Sequence, residues 1–255
     1  SGLSFGWGNH RGPALFSNLQ IEAVQGKNLG LMGLSGVGKS TLAEILLRLV
    51  RGYEGKIRWF ESNDLAESLF RNKVQYVFQD CERAMSWETG TLIEAVLRAV
   101  GRGEADLTKT QVATLSNILS QLGLSSVRDK NVLELSGGQL RRAYIARSLF
   151  KLLVDKQKGT PIVLVLDEAT VGLDLVAQHN LLKLLDGYSS DPEQELTLIT
   201  ISHDPVVLKY LSDQLIVLSK SELDSKGAVI ADTLIGDEIF RGPFTHEHTR
   251  ELMDA

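Results

Sequence analysis

The chain has 255 residues, 43% of them hydrophobic and 23% charged, as in an ordinary folded protein with material for a sizeable core. A formal net charge of -5, from 27 basic and 32 acidic residues mixed along the chain, gives no basic stripe, so nucleic acid is not an expected partner. Cys81 is the single cysteine, which excludes an internal disulfide, and no apolar run approaches the roughly 18 residues that span a bilayer.

In chain order, the first residue is Ser rather than Met, as expected of a trimmed or processed end. Leu3 to Trp7 and Ala14 to Val24 read as strands of a small antiparallel sheet. Asn28 to Met32 is a short buried strand, and Thr41 to Val50 a helix. Gly55 to Phe60 reads as an edge strand, and Val74 to Phe78 as a β-prone core strand. From about 80 to 156 the apolar spacing becomes helical, over Leu92–Val100, Lys109–Leu122 and Gln139–Leu153, with no comparable strand between them. This predicts a helical subdomain inserted between strands. Pro161 marks the return to the sheet. Ile162 to Leu166 is fully apolar, as in a parallel sheet covered on both faces. Val176–Tyr188 (helix), Leu196–Ile201 (strand), Pro205–Leu211 (helix) and Gln214–Leu218 (strand) then alternate. The polar last fifteen residues are expected to be a loosely held helix.

Three motifs carry chemistry. Gly33-Leu34-Ser35-Gly36-Val37-Gly38-Lys39-Ser40-Thr41 has the spacing of a phosphate-binding P-loop, preceded by a strand and followed by a helix. A triphosphate needs many donors in a small space, which backbone N–H groups from Ser35 to Ser40 supply where glycines let the chain curl. Lys39 adds a point charge for the β- and γ-phosphates, Ser40 a hydroxyl for Mg²⁺, and the helix dipole favours the anion. Asp167 and Glu168 end the apolar strand. Asp167 suits a Mg²⁺ ligand through water, and Glu168 can polarise a water in line with the γ-phosphate. Leu135-Ser136-Gly137-Gly138-Gln139 opens the last helix of the helical stretch. Ser136 suits an N-cap, and Gly137 and Gly138 allow close approach of a phosphate.

These three strings, in chain order P-loop, signature and Walker B, resemble the motifs of the ATP-binding cassette (ABC) ATPases, over about residues 3 to 231. The resemblance implies an α/β P-loop NTPase core, mostly parallel, with an antiparallel β subdomain and an inserted helical subdomain at about 80–156, all within one nucleotide-binding domain spanning 1–255. It implies further site residues. Gln79 matches the Q-loop glutamine that contacts Mg²⁺ and water, His203 the switch histidine at the γ-phosphate, and Leu173-Asp174 the D-loop at a dimer interface. Trp7 sits where the family places an adenine-stacking aromatic, with Phe5 the competing choice. Two cassettes, as a homodimer or heterodimer, are then expected to enclose ATP between the P-loop of one and the signature of the other.

Several strings look like the ATPases of bacterial nickel and di/oligopeptide importers: Phe78-Gln79-Asp80, Leu135 to Arg142, Glu168 to Leu175, and Phe244 to Leu252. The resemblance implies two separate transmembrane permease subunits, a periplasmic or extracellular substrate-binding protein, and a peripheral position on the cytoplasmic face of the inner membrane. Ser86-Trp87 departs from the Asn-Pro those importers carry after the Q-loop. The chain also stops where peptide-importer ATPases continue, which favours the nickel or metallophore type. His246 and His248 read as solvated tail residues. The alternatives are an exporter ATPase and a non-transport ABC ATPase.

Overall fold

A computed structural model describes residues 2–6, 14–60, 62, 66–220, 228–241, 244 and 247–253, with the side chains of Arg241 and His248 outside the description. The elements run β1 (Leu3–Gly6), β2 (Ala14–Leu19), β3 (Leu29–Gly33), α1 (Lys39–Leu46), α2 (Glu67–Lys73), β4 (Val74–Val77) and α3 (Cys81–Ser86). Then follow α4 (Leu92–Arg98), α5 (Lys109–Gln121), α6 (Gly137–Leu153), β5 (Ile162–Asp167), α7 (Leu175–Ser189) and β6 (Leu196–Ile201). The chain closes with α8 (Pro205–Leu211), β7 (Gln214–Lys220), β8 (Ala228–Ile235), α9 (Glu238–Arg241) and α10 (Glu247–Met253). It divides into two compact units, Ser1–Leu69 with Thr197–Ala255, and Phe70–Leu196.

In the first unit the strand order is β1-β2-β8-β7-β3-β6. β3 lies between β7 and β6 and is parallel to both, with Leu31 opposite Ile216 and Ile201. All five of its residues are buried, which explains its unbroken apolar run. The antiparallel pairs are β1 with β2 and β7 with β8. β8 was not expected from the sequence. Its burial is irregular and Asp232 is buried within it, so its pattern lacks clean alternation.

Helix α1 starts at Lys39 and ends at Leu46, four residues before the expected Val50. The stop is a Schellman turn made without glycine: Arg48 takes φ 63°, its N–H donates to Ile45 O, and Leu49 N–H donates to Glu44 O. The expected edge strand at Gly55–Phe60 is absent. Gly55 (φ 104°) and Phe60 (φ 51°) break the extended run, and only the bridges Ser4–Glu54 and Trp59–Ser62 form there. Trp59 is buried and donates from Nε1 to Leu46 O at 2.9 Å, so its apolar character serves the end of α1.

Helix α10 is docked, not loosely held as expected. Met253 packs in one cluster with Met32, Leu208, Leu215, Val217, Leu234 and Ile239, and Phe244 and Leu252 lie against it. Thr249 on α10 is fully buried, and Lys209 Nζ donates to Met253 O at 3.2 Å. Three apolar anchors in a polar stretch are enough to dock one short helix.

In the second unit β4 and β5 pair in parallel, Val74 opposite Val163 through Val77 opposite Leu166. Between them the regular elements are helical, α3 to α6 with short 3-10 turns. Capping boxes start α4 at Thr91/Glu94, α5 at Thr108/Gln111 and α6 at Ser136/Gln139. Each satisfies helix N–H groups that the first turn leaves open, stabilising the helix start by about 1 kcal/mol.

Candidate active site

The first unit holds the predicted phosphate loop. β3 carries the chain to Gly33 (φ 153°), and Gly36 (φ 77°) and Gly38 (φ 101°) turn it into α1. Sterics fix two of these glycines as well as their dihedrals. A Cβ on Gly33 would lie 2.5 Å from Leu218 O, and one on Gly38 would lie 2.8 Å from the Phe16 ring. Val37 is buried beneath the loop while Ser35 and Gly36 are exposed, so the loop presents its outer side to solvent. Lys39, Ser40 and Thr41 form the first turn of α1, all partly buried. Lys39 folds back across the loop, donating from Nζ to Gly33 O at 2.7 Å and Leu34 O at 3.2 Å.

β6, the parallel neighbour of β3, leads to His203 in the same unit. Ser202 N–H donates to Leu31 O at 3.3 Å, and Asp204 N-caps α8 by accepting from Val206 N–H at 2.8 Å. His203 sits exposed between these two fixed residues. P-loop and histidine therefore both leave the carboxyl ends of adjacent parallel strands, where open α/β sheets place their ligands. Trp7 lies outside the described residues. Phe5 is buried at 5% exposure within β1.

The second unit holds the acidic pair and the signature. Asp167 ends β5 at 1% exposure, and Tyr76 on β4 donates its hydroxyl to Asp167 Oδ2 at 3.0 Å. Glu168 is 9% exposed and takes φ 51°, a left-handed conformation that costs a non-glycine residue about 1–2 kcal/mol. Gln79 follows β4 in an exposed turn. Arg141 joins these pieces. Its guanidinium donates from Nη1 to Glu168 O at 2.9 Å, and from Nη2 to Gln79 O at 2.7 Å and Glu82 Oε2 at 2.9 Å.

At the signature, Ser136 N-caps α6: its Oγ accepts from Gln139 N–H at 3.3 Å while Gln139 Oε1 accepts from Ser136 N–H at 2.9 Å. A hydroxyl that accepts still has its own O–H to donate. Ser136 and Gly137 are exposed, Gly138 and Gln139 partly so, and a Cβ on Gly137 would meet nothing within 4 Å. Asp174 N-caps α7, accepting from Ala177 N–H at 2.8 Å.

Sequence reading did not single out Tyr76, Glu82 or Arg141 for a role. For Arg141 a signal existed: it shares the buried stripe of α6 with Ile145, Ser148, Leu149 and Leu152, and a cation on such a stripe must be paired.

The loop suits a triphosphate, having a glycine-shaped cradle, a helix N-terminus and an ammonium lying across its own carbonyls. The proposed Mg²⁺ donors, Ser40, Gln79 and Asp167, are all hard oxygen groups with one carboxylate.

A family model described as ABC transporter matches residues 16–171. The chain is 30% identical over 255 residues to the nickel import ATP-binding protein NikE of Shigella sonnei (strain Ss046), covering 97% of this chain and 87% of that protein. Among solved structures, a bacterial Atm1-family ABC exporter with ATP bound gives a TM-score of 0.73 at 24% identity, covering 98% of this chain and 41% of that one. The protein cbiO1 from Clostridium perfringens, part of the ABC transporter complex cbiONQ, gives 0.71 at 24% identity, covering 94% of this chain and 88% of that one. At such identity these two structures speak to the fold, which is that of a P-loop NTPase cassette. By its matched domain and its full-length similarity to NikE, the chain belongs to the ABC transporter family as an ATP-binding subunit.

Proposed function

We propose that this chain is the ATP-hydrolysing subunit of a bacterial importer whose cargo is a nickel or other metal complex, or a peptide. The observation that carries this reading is the 30% identity to NikE over 97% of the chain. Two cassettes close on ATP, hydrolysis releases them, and the cycle drives two separate transmembrane subunits fed by a substrate-binding protein. The working position is the cytoplasmic face of the inner membrane. No helix among the described residues is long and apolar enough to cross a membrane.

In this reading the backbone N–H groups from Ser35 to Ser40, with Lys39 and Thr41, hold the phosphates, and Ser136, Gly137, Gly138 and Gln139 present their helix N-terminus to the nucleotide of the second cassette. Trp7 stacks on adenine, and Asp174 lies at the junction of the two cassettes. Mg²⁺, held by Ser40, Asp167 and Gln79, supplies charge compensation on the phosphate oxygens when bound. Glu168 accepts a hydrogen bond from the attacking water, and His203 donates one to a γ-phosphate oxygen.

Affinity purification of the chain from native membranes tests the reading. The expected result is recovery of two membrane-spanning subunits and a second cassette, with ATPase activity stimulated by a loaded binding protein carrying either a nickel complex or a peptide. Recovery with ribosomes or chromosomal DNA, or stimulation by an intracellular cargo alone, would overturn it.

A further inference from the structure

Arg141 is 7% exposed, and a guanidinium so placed loses several kcal/mol of hydration that only good pairing offsets. An apolar side chain of similar length would fill the same volume without that cost, so packing alone does not call for a cation. What an apolar residue lacks is the planar fork of donors in fixed directions. Here the fork reaches main-chain carbonyls 27 and 62 residues away in sequence, those of Glu168 and Gln79, and the Glu82 carboxylate steadies its outer side. The Glu168 carbonyl belongs to a residue in a strained left-handed conformation, which persists only if its surroundings hold it. Arg141 itself stands on α6, within the second turn after the Ser136 cap.

We propose that Arg141 is a positioning residue for ATP hydrolysis: its guanidinium fixes the backbone at Gln79 and Glu168 to the signature helix, so that this helix sets the aim of both side chains. The inference rests on the ATPase reading above. It makes a commitment that a stabilising ion pair would not: loss of Arg141 lowers the rate of the chemical step per folded molecule and leaves nucleotide affinity nearly unchanged.

The experiment measures ATP hydrolysis by the full chain with its co-purified partner cassette in Arg141→Lys, Arg141→Gln and Arg141→Met. ATP affinity and thermal melting are recorded on the same samples. The expected result is a kcat per folded molecule that falls progressively from Lys to Gln to Met, by at least about tenfold at Met, as displaced catalytic groups cost. The ATP dissociation constant is expected to stay within about twofold, since affinity reports ground-state binding. Arg141→Met also leaves the Glu82 carboxylate without its cation, so its melting temperature falls. Adding Glu82→Gln is expected to recover the melting temperature but not kcat. If kcat returns together with stability, or if Arg141→Met turns over at the wild-type rate per folded molecule, the proposal is overturned. Should the Met variant not fold, an unchanged kcat in both the Lys and Gln variants overturns it equally. Lys39→Ala separates the two readings. Wild-type hydrolysis that survives Lys39→Ala sinks the ATPase assignment, whereas Lys39-dependent hydrolysis insensitive to Arg141 sinks only this one.

Discussion

Lys39 places its ammonium 2.7 Å from Gly33 O and 3.2 Å from Leu34 O, inside the loop that a triphosphate would enter. Exchanging neutral carbonyls for phosphate oxygens turns bonds charged on the donor side alone into ion pairs charged on both sides. Lys39→Ala is therefore expected to weaken ATP binding by about a hundredfold or more, on the order of 3 kcal/mol, in a fluorescent-nucleotide titration. Wild-type affinity in that variant would remove the lysine from the phosphate site. Cys81 illustrates the opposite case, a polar group with no chemistry to perform. It is fully buried, and burial pushes its thiol up to about 12 even though the neighbouring Arg141 acts to lower it. A thiol raised this far stays protonated at pH 8 and lacks the thiolate that reacts. The native chain should resist a disulfide reagent at pH 8 and consume one equivalent once unfolded. Rapid stoichiometric reaction of the native chain would contradict the burial argument.

The helices of the second unit show why some elements are legible from sequence and others are not. Thr91 with Glu94, Thr108 with Gln111 and Ser136 with Gln139 share one spacing, and each announces a helix start that the structure forms as a capping box. Strands β3 and β5 are legible too, because burial on both faces leaves an unbroken apolar string. The misreadings come from long-range effects. Gly55–Phe60 has strand-like composition, yet Trp59 turns inward to cap α1 and Phe60 takes a positive φ. Met253 reads as tail until Met32 and Leu215 gather around it. At the site, Asp167 is proposed from its place at the end of an apolar strand, and Gln79 from the family resemblance alone. The Tyr76 hydroxyl, and the partners of the Arg141 fork, became visible only when folding brought distant segments together. One capping box offers a pH test. Glu94 has its carboxyl pK lowered from the ordinary glutamate value, first by the Thr91 N–H and then by the Thr91 hydroxyl. A depressed folded pK contributes stability that is present above the unfolded value and lost as pH falls through the folded one. Glu94→Ala is expected to melt lower than wild type at pH 7, the gap closing as pH falls below about 4, by calorimetry across pH. A gap that persists unchanged at pH 3 would show that the ionised cap is not its source.

The parts assigned to hydrolysis are distributed between two compact units of one chain. The P-loop and His203 belong to the first, and Gln79, Asp167, Glu168 and the signature belong to the second. The exposed apolar side chains of the second unit include Leu133 just before the signature, and Leu175 and Val176 opening α7, at 74%, 84% and 70% exposure. Residues of this kind beside an exposed helix N-terminus fit a surface that a partner covers. Glu168→Gln keeps the side-chain shape and removes the carboxylate proposed to polarise water, so ATP is expected to bind without being consumed. Under that condition the closed assembly should accumulate, and sizing with ATP and Mg²⁺ should show a dimer, or a heterodimer with the partner cassette, that ADP does not support. Adding Leu175→Glu places a charge on the face to be covered, where desolvating it costs several kcal/mol, and should return the assembly to monomer. ATP binding by the monomer should survive this second change, because Leu175 belongs to the unit without the P-loop. A Glu168→Gln chain that stays monomeric with ATP and its partner cassette would remove the shared site. A dimer indifferent to Leu175→Glu would instead move the interface away from α7.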